Sequence, residues 1–87
     1  MSERFAAEIR AFIVGNFLFG RDSGFAPTQS FLQSGVIDST GLLELVAFVE
    51  EQYGISVADS DLIPENLDSL DNVSAYVARK TAATAGV

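Results

Sequence analysis

The sequence of 87 residues predicts an all-α fold, a small bundle of three principal helices and one short helix. Two observations carry that expectation. Apolar residues recur every three or four positions in three separate stretches, the spacing that gathers side chains on one side of a 3.6-residue turn. The composition supplies a core to pack them on: 48% of residues are hydrophobic, seven of them Phe, against 20% charged, which argues for a folded chain rather than a disordered one. A chain of this size buries enough surface for one domain, and two would each bury too little.

The first stretch, residues 3 to 18, places Phe5, Ile9, Phe12 and Ile13 on one side with Ala6 beside them. Ser2 is suited to cap it and Glu3 favours its positive end. Phe17, Leu18 and Phe19 read as a tighter exit before Gly20. The following connector, RDSGFAPTQSFLQSGVID, holds Gly24, Pro27 and Gly35 but also Phe25, Phe31, Leu32, Val36 and Ile37. It reads as an ordered connection pinned to the core by those side chains, with a short helix around 28 to 33. The second long helix, 40 to 53, has Leu42, Leu45, Val46, Val49 and Tyr53 at helical spacing, with Leu43, Ala47 and Phe48 broadening the apolar face and Gly54 as its stop. A short helix is expected over 59 to 67. The last helix, 70 to 80, has Leu70, Val73 and Val77 inside, Tyr76 at the edge, and Arg79 and Lys80 at its negative end. Residues 1 to 80 form the expected domain and residues 81 to 87 a frayed tail. Phe5, Ile9, Phe12, Leu42, Leu45, Val46, Val49, Val73 and Val77 are the expected core.

Charge narrows the partners. The chain has 12 acids against 5 bases, and no Lys or Arg falls between Arg21 and Arg79, an interval with ten Asp and Glu. A field of one sign opposes nucleic acid and anionic lipid and speeds encounter with basic protein surfaces. The start MSERFAAEIR does not read as a secretory signal, and no stretch approaches the length needed to cross a bilayer, so a cytoplasmic protein without membrane contact is expected.

Self-contained catalysis finds little support. There is no His and no Cys, so no Ser-His-Asp triad and no thiolate nucleophile. The run DSDLIPENLDSLD has Pro64 where an EF-hand loop starting at Asp59 requires Gly, and Leu70 where it requires Glu. Neither GxGxxG nor GxxxxGK[ST] occurs. No metal site and no catalytic residue is expected. One hydroxyl stands out: Ser39, after Asp38, at the entry to the second long helix. It is suited to cap that helix, with Asp38 adding a favourable charge. It is equally suited to be presented at the positive helix end for modification, where an attached phosphate is favoured.

The extended run GVIDSTGLLELVAFVEEQYGI, residues 35 to 55, continued by DLIPENLDSL (61 to 70) and NVSAYV (72 to 77), is similar to the prosthetic-group attachment region of the acyl carrier and peptidyl carrier protein superfamily. The resemblance implies an acyl-carrier-like four-helix bundle and a non-catalytic carrier subunit. It implies 4'-phosphopantetheine joined to Ser39 by a phosphodiester, with Asp38 helping to present the site. The added group would bring the thiol that the sequence lacks and hold an acyl or aminoacyl thioester. The implied partners are a phosphopantetheinyl transferase, an acyl- or aminoacyl-activating ligase, and an acyltransferase or condensing enzyme, met by a monomer through Thr40, Leu43, Glu44, Ala47, Glu50, Glu51, Asp59 and Asp61. Two positions depart from the family pattern: Thr40 stands where an apolar residue is usual, and Gly41 where a polar one is common. These departures favour a freestanding carrier of a specialised pathway, loading an amino acid or a small acyl group, over the carrier of fatty-acid synthesis. The alternative reading is a helical protein-interaction module, constitutive or switched by phosphorylation of Ser39.

Overall fold

A computed structural model describes residues 2–18 and 25–85, and among them every regular element is helical. Three long helices dominate: α1 (Ser2–Phe17), α3 (Ser39–Tyr53) and α5 (Leu70–Ala85). Two single-turn helices, α2 (Phe31–Ser34) and α4 (Pro64–Leu67), sit in the connections, and a 3₁₀ turn at Asp59–Asp61 precedes α4. α1 lies along α5, α4 rests on α5, and α3 touches both long helices. No helix of the described residues is long and apolar enough to cross a membrane.

The core is where the apolar stripes meet. Ile9 and Ile13 from α1, Leu45 and Val49 from α3, and Val73 and Val77 from α5 are shielded from solvent. Phe25, Phe31 and Ile37 join them, so the connector is fastened by its own apolar residues as its composition suggests, whereas Leu32 stays exposed. Four expected core residues, Phe5, Phe12, Leu42 and Val46, are only partly buried and pack against this cluster. The two phenylalanines serve an aromatic seam between α1 and α3: Phe12 stacks on Phe48 with centroids 4.1 Å apart, and Phe5 meets Tyr53 edge-on at 5.0 Å. Leu42 and Val46 face a cleft described below.

Helix boundaries differ from expectation for local reasons. α1 ends at Phe17; capping by the Ser2 side chain and an exit through Phe19 and Gly20 concern side chains and positions outside the described residues. α2 begins at Phe31 rather than residue 28, because Ala26 to Gln29 close a turn through the Gln29 N–H to Ala26 carbonyl bond (3.0 Å) and Ser30 then caps the helix, its Oγ accepting from the Gln33 N–H at 3.1 Å. The expected helix over 59 to 67 is two pieces. Pro64 disfavours helical backbone at the residue before it, so Ile63 is extended (φ −125°, ψ 153°), and Pro64 opens α4 with its φ already set.

α5 starts where expected, with Ser69 Oγ accepting the Asn72 N–H at 3.1 Å, but continues past Lys80 to Ala85. Ala favours helix, and Thr81 returns its hydroxyl to the Val77 carbonyl at 2.9 Å, so nothing in TAATA stops the helix. Arg79 and Lys80 therefore do not sit in the last turn. They flank the Tyr76 ring at 5.7 and 5.9 Å instead. Tyr76, expected at the edge, is 3% exposed, its hydroxyl donating to Asp61 Oδ2 at 2.7 Å.

Gly41 fixes the approach of α1 to the start of α3. It is buried, and a Cβ there would lie 2.7 Å from Phe17 Cε1, 2.9 Å from Ile37 Cγ2 and 3.2 Å from Asp38 Oδ1. The missing side chain therefore admits the Phe17 ring rather than withdrawing a surface contact. Gly41→Ala should cost about 1 to 3 kcal/mol through forced displacement of that ring; an unchanged urea midpoint would contradict this packing.

Two phenols give the fold an alkaline limit. Burial first, and then the hydrogen bond to the Asp61 carboxylate, push Tyr76 up to about 12 from 10.0; Glu50 adds to the shift and Arg79 opposes it. Tyr53, whose hydroxyl donates to Glu8 Oε1 at 2.7 Å, is raised by burial and by that carboxylate. Both phenols are held protonated by the fold, so their contribution is complete below pH 10.0; that of Tyr76 is lost as the pH rises through about 12, and that of Tyr53 at higher pH still. The melting temperature should fall across that window, and Tyr76→Phe should flatten part of the fall in a pH series of thermal melts.

Candidate functional site

The turn before α3 divides two tasks between neighbouring residues. Asp38 is extended (φ −90°, ψ −179°) and caps α3, its Oδ1 accepting the Gly41 N–H at 2.6 Å. Ser39 is the first residue within the helix, so it is not the cap that its position suggested. The carboxylate takes that place because it satisfies the free N–H and also interacts with the positive helix end, which a neutral hydroxyl does less well. The Ser39 hydroxyl is thereby released from structural duty, and the residue is exposed.

Ser39 lies on the rim of an apolar cleft of about 240 Å³. From α3 come Leu42, Leu43 and Val46; facing them are Leu62, Ile63, Pro64 and Leu67, with Leu32 from α2 and Asp68 completing the lining. Leu32, Leu43, Leu62 and Ile63, 44%, 62%, 40% and 41% exposed, are the exposed large apolar side chains of the described residues, and all four line this cleft. Scattered exposed leucines need no explanation, but four converging beside one free hydroxyl form a site.

The outward face of α3 carries Thr40, Leu43, Glu44, Ala47 and Glu51, all exposed, so Leu43 and Ala47 stand outside the core. Asp59 is exposed as well. Glu50 and Asp61 are half-buried and partly committed inside the fold: Glu50 Oε2 accepts the Val57 N–H at 2.9 Å, and Asp61 accepts from Tyr76. The structure thus brings Asp38, Ser39, Thr40, Leu43, Glu44, Ala47 and Glu51 onto one exposed surface and sets Glu50 and Asp61 at its edge. Among the described residues no group of three Asp or Glu is placed to hold a metal ion.

Sequence reasoning missed the far wall of the cleft. The adjacent apolar pair Leu62-Ile63 before Pro64 was its available signal, since a proline that keeps the preceding residue extended leaves such side chains at a surface. Chemically, the site offers a hydroxyl without a histidine to deprotonate it, placed at a positive helix end that favours phosphate and next to an apolar surface.

Residues 18–77 match the family described as the phosphopantetheine attachment site. The chain is also similar to the D-alanyl carrier protein of Abiotrophia defectiva, 35% identical over 49 residues that cover 56% of this chain and 62% of the relative's length. The extent of the family match, over a helical bundle with Ser39 free at the head of α3, leads to one conclusion: the chain belongs to the phosphopantetheine-attachment family of acyl and peptidyl carrier proteins.

Proposed function

We propose that residues 1 to 80 are a carrier domain whose Ser39 Oγ bears 4'-phosphopantetheine. The observation that carries this is the separation of roles at 38 and 39: Asp38 holds the helix end, leaving the Ser39 hydroxyl exposed on the rim of the cleft. In the attachment step Ser39 Oγ forms a bond to the phosphorus that joins pantetheine to the nucleotide in coenzyme A. The bond from that phosphorus to the nucleotide phosphate breaks, adenosine 3',5'-bisphosphate leaves, and the hydroxyl proton passes to a base of the transferase. Once bound, the group supplies a terminal thiol that carries an acyl or aminoacyl thioester. The diester's negative charge is favoured at the N-terminus of α3.

The exposed acids Glu44, Glu51 and Asp59, joined at the edge by Glu50 and Asp61, suit a basic partner surface, and Thr40, Leu43 and Ala47 supply neutral contacts between them. The expected partners are a phosphopantetheinyl transferase, an activating ligase and an acyltransferase or condensing enzyme, acting on a cytoplasmic monomer. An amino acid or a small acyl group is the cargo we favour, in line with the departure at Thr40; the name of the D-alanyl carrier relative supports an amino acid among the options.

Incubation with coenzyme A and a broad-specificity transferase should add the arm to Ser39, mapped by fragment mass spectrometry. Ser39→Ala should abolish it while changing stability by no more than about 0.5 kcal/mol, since Ser39 caps nothing. Asp38→Ala should cost about 0.5 to 2 kcal/mol and Asp38→Asn much less, because an amide oxygen also caps. Phosphate alone on Ser39, or no arm with competent transferases, would overturn the carrier reading in favour of an interaction module. Glu44→Lys should slow arm transfer several-fold at low salt and little at high salt, as expected when charge steers encounter; equal rates at low salt would remove Glu44 from the recognition surface.

A further inference from the structure

We infer that Tyr76, through its hold on Asp61, limits how wide the cleft beside Ser39 opens, and so the length of the uncharged acyl cargo it shelters. The inference rests on the carrier reading above.

The cleft has one wall on a long helix and one on a short, irregular segment. The second wall is Leu62, Ile63 and Pro64, between the 3₁₀ turn and α4. Its fastenings run to α5 and within itself. Tyr76 donates to Asp61 Oδ2 at 2.7 Å, Asn66 Nδ2 to the Asp61 carbonyl at 3.0 Å, and Asn72 Nδ2 to the Pro64 carbonyl at 3.3 Å. Among the described residues no hydrogen bond joins residues 59–69 to α3, so the cleft can widen by parting this wall from α3 without breaking any between them. What resists that movement is the wall's attachment to α5, to which Arg79 adds a bond to Asn66 Oδ1 at 3.1 Å, and, at its far end, the bonds of Asp68 to α2. Tyr76 is the buried donor among those of α5, its bond is the shortest of them, and its acceptor Asp61 adjoins Leu62, so it is the strongest restraint on the part of the wall that lines the cleft.

Cargo class follows from the lining. The side chains are apolar except Ser39, the arm's own attachment point, and Asp68, whose carboxylate already accepts from the Ser30 hydroxyl and the Leu32 N–H. An ammonium group would give up most of its hydration among these side chains with Asp68 as its one charged partner, whereas an uncharged acyl group matches the rest of the lining and is drawn in. A volume of about 240 Å³ is about eight times one water's share of the liquid, room for an acyl group of about eight non-hydrogen atoms. A longer chain needs the wall to swing out, which strains or breaks the Tyr76 bond to Asp61.

Two measurements test this, and the first does not use the arm. Unmodified wild type and Tyr76→Phe, which keeps the ring and loses the donor, are titrated with butanol, hexanol, octanol and dodecanol while methyl NMR follows Leu43, Leu62 and Ile63. In the wild type, affinity should stop rising beyond hexanol. In Tyr76→Phe it should continue to rise, with dodecanol bound about five-fold more tightly than by the wild type, the factor that one net hydrogen bond represents. Asp61→Asn, which keeps an acceptor for the phenol, should retain the wild-type profile. In the second measurement, proteins bearing acyl-pantetheine arms of the same lengths are cleaved with hydroxylamine, and protection should reach longer chains in Tyr76→Phe. An identical length profile in wild type and Tyr76→Phe overturns the inference. A uniform change at every length, the mark of general loosening, overturns it as well. If Ser39 takes no arm but the alkanol profiles differ as stated, the carrier reading fails and the role of Tyr76 stands.

Discussion

Asp68 ties together two segments 36 to 38 positions apart in sequence. Its carboxylate accepts from the Ser30 hydroxyl and, at 3.1 Å, from the Leu32 N–H, while its carbonyl accepts the Phe31 N–H at 2.9 Å. The Asp71 N–H reaches back to the Pro27 carbonyl at 3.0 Å, so the stretch from Pro27 to Leu32 is bound to the α4–α5 corner. A chain this small, with no disulfide, has few other means of holding so long a connection. That attachment seats Phe31 in the core, and the seated Phe31 sets Leu32 and then Ile37 where they meet the start of α3. Asp68 also lines the apolar cleft, so the residue that fastens α2, and with it Leu32, borders the wall that faces α3.

Against that frame the head of α3 is tightly determined. Phe17 occupies the space above Gly41, Ile37 packs from below, and Asp38 closes the first turn with its carboxylate. Three residues with structural work surround Gly41, while the Ser39 hydroxyl two positions earlier makes no hydrogen bond among the described residues. A hydroxyl committed to capping would have to abandon its N–H partner when esterified, leaving a donor unsatisfied. Placing the cap one residue earlier lets the hydroxyl gain or lose a substituent while the helix end stays intact. The Asp38 carboxylate and the phosphate proposed for Ser39 would share a positive helix end, and the exposure of both residues would let water and salt screen their mutual repulsion.

The long helices were legible because their signal is repetition: Leu45 and Val49 or Val73 and Val77 announce a buried stripe four residues apart. The run from Gly35 carried the resemblance to the family that the match over residues 18–77 shows. What escaped was carried by single contacts between distant residues, which have no period. Ser30 and Asp68 are 38 positions apart, and nothing in either neighbourhood marks them as a pair. Tyr76 looked like an edge residue because a phenol requires a partner if buried, and that partner, Asp61, belongs to a turn with no periodicity of its own. Asp38 and Ser39 are both good caps, so the choice between them depended on the backbone at one residue. The end of α5 was misplaced because the stripe fades at Lys80 while the backbone preference of TAATA does not.

Charge and apolar surface act over different distances, and α3 carries both. Its acids project a field that reaches about 8 Å through physiological salt, enough to orient an approaching basic surface before contact. On the partner-facing surface proposed above, contact would fall to Leu43, 62% exposed and one position from Glu44, whose burial would release water from the rim of the cleft. A carrier must be captured and then released by successive enzymes, which sets an upper limit on how much apolar area it can offer. On the carrier reading proposed above, Leu32, Leu43, Leu62 and Ile63 would offer a partner apolar contact at the same cleft that would shelter an uncharged acyl group, so cargo and partner would compete for one surface.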